Sequence, residues 1–276
     1  MPVISTNTAA NAALNYLNIN SANETESISQ LASGSRIVQA KDDAAGLAIG
    51  TQLDANVTVF QEDQVNVSQG TSILQSTDGA LAQISNVLAR MLALATEGAS
   101  GQVTQTQRVQ DINTEYQQLR QEISSIVHST TYAGNSLLTG SFLSNVKFLI
   151  GTQSTNFISV SLGTVSAAGL LGATGSSVST AKLSLHAISG VNSAINTITK
   201  DRARVGSYES QFNFSGQDIA TNVQNLSAAA SVIMDADVAA EKATLSSQDV
   251  KTQSAVAALA QASQLPQELL RLIQAP

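Results

Sequence analysis

Apolar residues recur every seven positions over two long stretches of the chain. In the first stretch one seven-residue series is apolar throughout, and it consists of Leu53, Phe60, Val67, Leu74, Leu81, Leu88 and Ala95. The second stretch repeats the pattern with Val191, Ile198, Val205, Phe212, Ile219, Leu226 and Ile233. Because a spacing of seven keeps side chains on one helical face, each series predicts an α-helix of about 45 residues. Helices of this length must pack against each other or against neighbours, since packing supplies most helical stability.

A second seven-residue series in each stretch is polar only near its centre. The polar members include Asn56 and Asp63 in the first stretch and Arg202 and Glu209 in the second. The apolar seam is therefore narrow midway along each helix and wider towards the ends. We expect these central positions to keep the packing of the two helices adjustable.

The middle of the chain changes its period. Apolar residues three and four apart between Val109 and Ile126 predict a third helix, and the turn residues 98–101 predict an antiparallel helical hairpin with the first long helix. Alternation over 146–150 and 158–162 predicts a β-hairpin. The Gly/Ser/Thr stretch 163–180 has few large apolar residues and is expected to be an exposed loop.

Both chain ends predict weaker amphipathic helices. The apolar stripe near the start contains Leu14, Leu17, Ile28 and Leu31, and that near the end contains Val256, Leu259, Leu270 and Ile273. Because large residues are few, we expect each end to be ordered only when a partner covers its stripe.

Composition excludes several classes of function. The chain has no Cys, only 4% aromatic residues and a net charge of -7 without clusters of either sign, which argues against thiol chemistry and nucleic-acid binding. Its two histidines and the lack of nucleophile, phosphate-loop or metal motifs indicate neither an enzyme nor a cofactor site. No apolar run is long enough to insert into a membrane, and no basic leader precedes an apolar segment, so the pattern alone favours a soluble cytoplasmic protein.

Four short sequences then resemble one known family, the bacterial flagellins. Residues 31–46 read LASGSRIVQAKDDAAG, which is similar to the family's N-terminal signature. Residues 76–81 (STDGAL) and 132–138 (YAGNSLL) resemble its next two blocks, and residues 255–270 (AVAALAQASQLPQELL) resemble its ending. The resemblance covers about residues 1–140 and 185–276.

The resemblance implies a structural, non-enzymatic subunit of the flagellar filament for swimming motility. Its fold would be mainly α, a long antiparallel helical bundle or coiled coil with a small β-hairpin region in the middle. The expected parts are an N-terminal inner-core helix and turn (1–40), N-terminal shell helices (41–140), a hairpin with a variable loop (141–182), a C-terminal shell helix (183–236) and a C-terminal inner-core helix (237–276). The eight stripe residues of the two ends would then form the inner-core subunit interface.

Further partners and sites follow from the same resemblance. The family implies self-assembly, secretion through the flagellar type III apparatus without a cleaved signal, and partners that include an export chaperone, cap proteins and junction proteins. Arg90, Leu94 and Glu115 fall where flagellins contact one another and where the vertebrate Toll-like receptor for flagellin binds. This chain departs from the receptor-active pattern at 91–93, where it reads Met-Leu-Ala.

Other interpretations stay open from the sequence. A hook–filament junction protein shares these ends, and a glycan-binding surface homologue would use the region 141–182. In the segment before the first long helix, Asp42 and Asp43 are expected to cap the helix N-terminus. Arg36 is expected either to pair across a subunit boundary or to remain solvated.

Overall fold

Long helices divide the chain into a terminal unit and a central unit. The structure is a computed structural model and describes residues 7–140, 142–172 and 175–274. The terminal unit comprises the described parts of Met1–Ala55 and Asn225–Pro276, and the central unit comprises those of Asn56–Gln224. Two long helices, α2 (Ala44–Ala99) and α6 (Ala181–Met234), contribute residues to both units.

The remaining elements are shorter and follow the predicted order. The terminal unit also contains α1 (Thr8–Ser33) and α7 (Val238–Gln274). The central unit contains the short helices α3 (Gln105–Gln107) and α5 (Ala167–Leu171), the helix α4 (Asn113–Ser129), and the strands β1 (Thr131–Tyr132), β2 (Asn135–Ser136), β3 (Val146–Leu149) and β4 (Phe157–Val160). The predicted fold class, mainly helical with a small β region in the middle, is confirmed.

The core of the central unit is the seam predicted from the heptads. In α2 the buried members are Val67, Leu74, Leu81, Leu88 and Ala95, and in α6 they are Val191, Ile198, Val205, Phe212 and Ile219. The two helices run antiparallel, because the Arg202 guanidinium binds the Asp78 carboxylate at 2.8 and 3.0 Å while Gly70 faces Phe212. Both helices are longer than predicted, at 56 and 54 residues, because each begins before its heptad series, at Ala44 in α2 and at Ala181 in α6.

The middle of this seam is packed closely despite its polar residues. Gly70 lies against the Phe212 ring, and a Cβ atom at Gly70 would stand 2.5 Å from Phe212 Cε1. Phe212 in turn makes an edge-on contact with Phe148 of the hairpin, with ring centroids 5.1 Å apart. A single aromatic side chain therefore fills the gap that glycine leaves between α2 and α6.

The reversal between α2 and α4 depends on a buried arginine. Residues Arg108–Ile112 form one turn of π-helix before α4. The Arg108 guanidinium donates to the carbonyls of Gly98 at 2.7 Å and Ser100 at 2.6 Å. These carbonyls belong to the end of α2 and the turn that follows it, so the cation offsets the partial negative charge at the helix C-terminus. The predicted helical hairpin is present, with Arg108 holding it closed.

The predicted β-hairpin is also present. Strands β3 and β4 pair antiparallel with Val146 opposite Val160 and Leu149 opposite Phe157. Its buried face carries Ile158 and Val160 towards the helices. A second, smaller hairpin of β1 and β2 follows α4, with positive φ at Ala133 and Gly134 in its turn.

The prediction of an exposed loop over 163–180 is wrong for the described residues. Val165, Leu171 and Val178 are buried in the core of the central unit. The loop backbone is bound by polar side chains of the α3–α4 region. The Tyr116 hydroxyl donates to the Gly175 carbonyl at 2.7 Å, and the amides of Gln117 and Gln105 donate to the carbonyls of Ser176 and Ser179 at 2.7 Å each. Few apolar anchors suffice because these bonds satisfy the buried backbone.

Burial also changes the acidity of Asp63. This residue is 2% exposed in the polar centre of the seam, and its Oδ2 atom accepts no hydrogen bond within the described part of the chain. Burial raises the pKa of the Asp63 carboxyl, and a hydrogen bond with Asn66 opposes that rise only in part. The charged form of Asp63 is therefore less stable in the folded protein than in water.

Substituting two glycines of α2 tests the close packing of the seam. We expect Gly70→Ala to lower the free energy of unfolding by about 1–3 kcal/mol, because the new methyl group collides with Phe212. The matched change Gly79→Ala, at an exposed helical glycine with no atom within 4 Å of the added Cβ, should raise it by about 1 kcal/mol through helix propensity. Urea unfolding followed by circular dichroism measures both, and equal effects at the two sites would contradict the assigned contact.

Substituting Asp63 by Asn tests the buried carboxylate. Because the folded pKa is raised, the folded state holds more protons than the unfolded state above pH 3.8, and stability is lost as the pH rises from there through the folded pKa. We expect Asp63→Asn to be more stable than the parent at neutral pH, with the difference disappearing below pH 3.8. Urea unfolding of both proteins across this pH range provides the measurement, and a pH-independent difference would show that the charge is not the cause.

Candidate subunit interface

In the terminal unit, α1 and α7 pair as antiparallel helices. Near one end of the pair, the Asn7 amide donates to the Ala262 carbonyl at 2.6 Å. Further along, the Thr252 hydroxyl donates to Glu24 Oε2 at 2.9 Å. At the other end, Ser35 and Asp235 form an antiparallel bridge just beyond α1 and α6. The two ends of the chain therefore pack on each other over most of α1.

The seam between these helices contains mostly small and polar residues. Its least exposed positions follow the alternating three- and four-residue spacing of a coiled coil. In α1 they are Ala10, Ala13, Leu17, Asn20, Glu24, Ser27 and Leu31, and in α7 they are Glu241, Leu245, Gln248, Thr252, Ala255, Leu259 and Ala262. One buried acceptor, Gln248 Oε1, receives no hydrogen bond within the described residues. A seam with two leucines per helix and an unsatisfied amide gives this pair little stability of its own.

Larger apolar side chains of the same helices lie outside the seam and are about half exposed. On α1, Leu14 is 46%, Tyr16 is 64% and Ile28 is 49% exposed, and on α7 Val256 is 51% exposed. Ile19 and Val250 are exposed to a similar degree. At 100° per residue, Leu14 and Ile28 share one side of α1, while Tyr16 and Ile19 share another. The pair thus presents apolar surface in more than one direction, which we call the outer faces of the terminal pair.

The structure divides the stripe residues predicted from the sequence into two groups. Leu17, Leu31 and Leu259 lie in the seam and are half-buried, whereas Leu14, Ile28 and Val256 lie on the outer faces. The side chains of Leu270 and Ile273 lie outside the described part of the structure. The sequence pattern grouped these residues into one stripe because positions 14 and 17 differ by only 60° around a helix.

A short clasp fastens the ends of α1 and α6. The amide of Arg36 donates to the Met234 carbonyl at 2.7 Å, and the amide of Ala236 donates to the Gly34 carbonyl at 3.0 Å. Gly34 has a positive φ of 71°, which lets α1 end and the chain turn into this contact. The Arg36 guanidinium donates to the Ile233 carbonyl at 2.8 and 3.2 Å, so Arg36 caps the end of α6 within its own chain. Sequence inspection left the role of Arg36 open.

The two aspartates before α2 have separate roles. Asp43 Oδ1 accepts from the Gly46 amide at 2.8 Å and caps the helix as predicted. Asp42 instead accepts from the amides of Gln39 at 2.8 Å and Val38 at 3.2 Å, within the preceding segment. The segment between the clasp and α2 is therefore held by its own carboxylates.

The central-unit residues singled out from the sequence form an internal ion pair. Arg90 of α2 binds Glu115 of α4, with Nη2 and Nε at 2.7 and 2.8 Å from Oε1. Both side chains are about half exposed, with fractions of 55% and 42%. Leu94 is 2% exposed and lies in the core. The prediction that it contacts another molecule is therefore wrong.

Neither a metal-binding cluster nor a membrane-spanning helix is found among the described residues. Across residues 7–140, 142–172 and 175–274, no three His, Asp or Glu side chains are placed to hold a metal ion. No helix in these same ranges is both long and apolar enough to span a bilayer.

Comparison with known proteins identifies the arrangement. Residues 4–142 match the bacterial flagellin N-terminal helical region, and residues 188–273 match the bacterial flagellin C-terminal helical region. The chain belongs to the bacterial flagellin family. As a flagellin it is a structural subunit that polymerises into the flagellar filament for swimming motility, and it is not an enzyme. Flagellins form the filament of the flagellum, which is extracellular.

Relatives match this flagellin over nearly its whole length. It is 33% identical to the flagellar filament 30.7 kDa core protein of Treponema maltophilum, over 98% of this chain and 99% of the relative. It is 30% identical to the flagellin of Bacillus subtilis, with the same two coverages. The alignment therefore spans nearly the whole length of both relatives.

Solved structures agree with the helical fold. The crystal structure of Bacillus cereus flagellin matches with a TM-score of 0.51 and 27% identity, over 60% of this chain and 94% of that chain. A putative flagellar hook-associated protein from Vibrio parahaemolyticus matches with a TM-score of 0.58 and 13% identity, over 70% of this chain and 99% of that chain. At 13% identity the second likeness shows the fold alone, so it does not favour a junction role for this flagellin.

Replacing Arg36 tests the clasp. We expect Arg36→Ala to speed amide hydrogen exchange at residues 36 and 236 by about five-fold, equivalent to the loss of about 1 kcal/mol from a cation at a helix C-terminus. Lys41→Ala removes a charge from the same segment without a contact at α6 and should leave both amides unchanged. Equal acceleration in the two variants would show that net charge, and not the contact with Ile233, protects the clasp.

Proposed function

We propose that subunits join through the outer faces of the terminal pair, α1 and α7, which become the inner core of the filament. One observation carries this proposal. The seam that holds the pair together uses small and polar residues, whereas larger apolar residues such as Leu14, Tyr16 and Ile28 are about half exposed. An exposed cluster of this kind normally marks a contact with another molecule.

The direction of these residues suits a helical polymer. Head-to-tail contacts that do not close into a ring produce a helical filament. In such a filament each copy contacts different neighbours through different surfaces. Leu14 and Ile28 supply one apolar side of α1, and Tyr16 and Ile19 supply another. Two sides with separate apolar residues allow one copy to contact at least two others.

The weak seam suits controlled assembly. A pair held mainly by Leu17, Leu31, Leu245 and Leu259 gains little from association inside one chain, so most of the stabilisation comes when neighbours cover the outer faces. We infer that the two ends become fully ordered on joining the filament. Polymerisation then does not require ends that are already ordered in the free subunit. Leu270 and Ile273 are proposed to continue the same interface.

Further partners are proposed from family membership. An export chaperone, the cap proteins and the junction proteins would meet the same outer faces, because each handles a subunit before or at the filament end. Arg90 and Glu115 remain candidates for contact between shell regions, since both are partly exposed. Recognition by the vertebrate Toll-like receptor does not follow from this arrangement, because Leu94 is buried and Arg90 and Glu115 bind each other.

Polar substitutions on one outer face test the proposal. Burial of a half-exposed Leu or Ile contributes about 1 kcal/mol, so the double variant Leu14→Gln with Ile28→Gln should raise the critical concentration for growth on filament seeds about 30-fold. Gln is a good helix former, which keeps the effect on helix propensity small. Sedimentation of seeded reactions at graded subunit concentrations gives the critical concentration.

The control is an exposed polar residue of the same helix. Asn18→Gln introduces the same side chain without removing apolar surface, and it should polymerise like the parent. Urea unfolding of the central unit should be the same in all three proteins. A parental critical concentration for the double variant would exclude this face from the interface.

A further inference from the structure

Leucines and one polar residue alternate at matching positions in α1 and α7. In α1 the seven-residue series is Leu17, Glu24 and Leu31, and in α7 it is Leu245, Thr252 and Leu259. In each helix the polar residue stands at the midpoint, where a third leucine would complete the series. Both midpoints are half-buried in the seam.

The two midpoints bind each other. The Thr252 hydroxyl donates to Glu24 Oε2 at 2.9 Å. Since the leucines lie seven residues on either side of this pair, Leu17 is level with Leu259 and Leu31 is level with Leu245 when the helices run antiparallel. The hydrogen bond thus forms in the register that also matches leucine with leucine.

We propose that the Glu24–Thr252 hydrogen bond fixes the register of α1 against α7 and so aligns the outer faces for assembly. A slip by one heptad would place Glu24 against Leu245 or Leu259 and Thr252 against Leu17 or Leu31. Each polar group would then be buried without its partner, which is costly. A single polar layer in a coiled-coil seam specifies register in this way at some cost in stability.

Because most other seam residues are small, the register depends on the Glu24–Thr252 pair together with the clasp between Gly34 and Ala236 at the end of α1. Ala10, Ala13, Ala255 and Ala262 fit against one another in several registers, because they have no shape that distinguishes neighbours. With leucine at positions 24 and 252 as well, a register slipped by one heptad would still match two pairs of leucines, so the slip would cost less. Glu24 and Thr252 are therefore positioning residues for the proposed interface, and this role rests on the proposed function.

Distance measurement in the filament tests the register directly. The chain contains no Cys, so spin labels can be attached specifically to Asn11→Cys on α1 and Ser246→Cys on α7. In the native register these positions are about 28 Å apart along the helix axis, and a one-heptad slip changes that separation by about 10 Å. The labelled molecule is assembled as a minor component among unlabelled parent subunits, which removes distances between molecules.

The distance between the labels is measured in the parent sequence and in two double variants. The parent should give one distance, and Glu24→Leu with Thr252→Leu should give additional distances shifted by about 10 Å or be excluded from the filament. The exchanged pair Glu24→Thr with Thr252→Glu keeps a polar layer and should restore the single distance. A single parental distance in the leucine variant would overturn the proposal, as would slipped distances or exclusion in the exchanged variant.

The result is separable from the test of the outer faces. Failure of the Leu14 and Ile28 substitutions to raise the critical concentration would remove the proposed interface but would not change an intramolecular distance. Conversely, a single distance in the leucine variant would remove the register role and leave the interface intact.

Discussion

The structure depends on antiparallel pairing between segments far apart in the chain. In the central unit, α2 packs on α6 through two uninterrupted apolar heptad series, and in the terminal unit α1 packs on α7. The first pairing is rich in large apolar residues and contains a buried core. The second uses alanines, polar residues and four leucines. The same geometry therefore produces one unit with a large buried core and one whose larger apolar side chains remain exposed.

Contacts that are not purely apolar contribute to the fit of both helix pairs. At the centre of the α2–α6 seam, Gly70 admits Phe212 and the ion pair of Arg202 with Asp78 closes the side of the contact. In the α1–α7 seam, Glu24 and Thr252 hold each other between flanking leucines. We propose that this second contact specifies register, as a single polar layer does in a coiled coil.

Much of the fold could be predicted from the sequence, because the heptads are long and their members are large. The β-hairpin was equally accessible, since apolar residues recur at every second position over 146–150 and 158–162. The separation of Leu14 from Leu17 was not, because four residues spread over eighteen positions do not define the direction of a stripe within 60°. Arg36 and Arg108 bind backbone carbonyls at helix ends, and such contacts leave no periodic signal in a sequence.

The packed loop after the β-hairpin is held mainly by its carbonyl groups. Tyr116, Gln117 and Gln105 bind the backbone of Gly175, Ser176 and Ser179, and every residue type provides that acceptor. Exposed positions such as Ala168 are thus free to vary, whereas the buried Val165, Leu171 and Val178, and Ser177, whose hydroxyl donates to Asn113 Oδ1 at 2.9 Å, are constrained. Sequence change among related subunits is therefore expected to concentrate at those exposed positions, while the scaffold beneath them is kept.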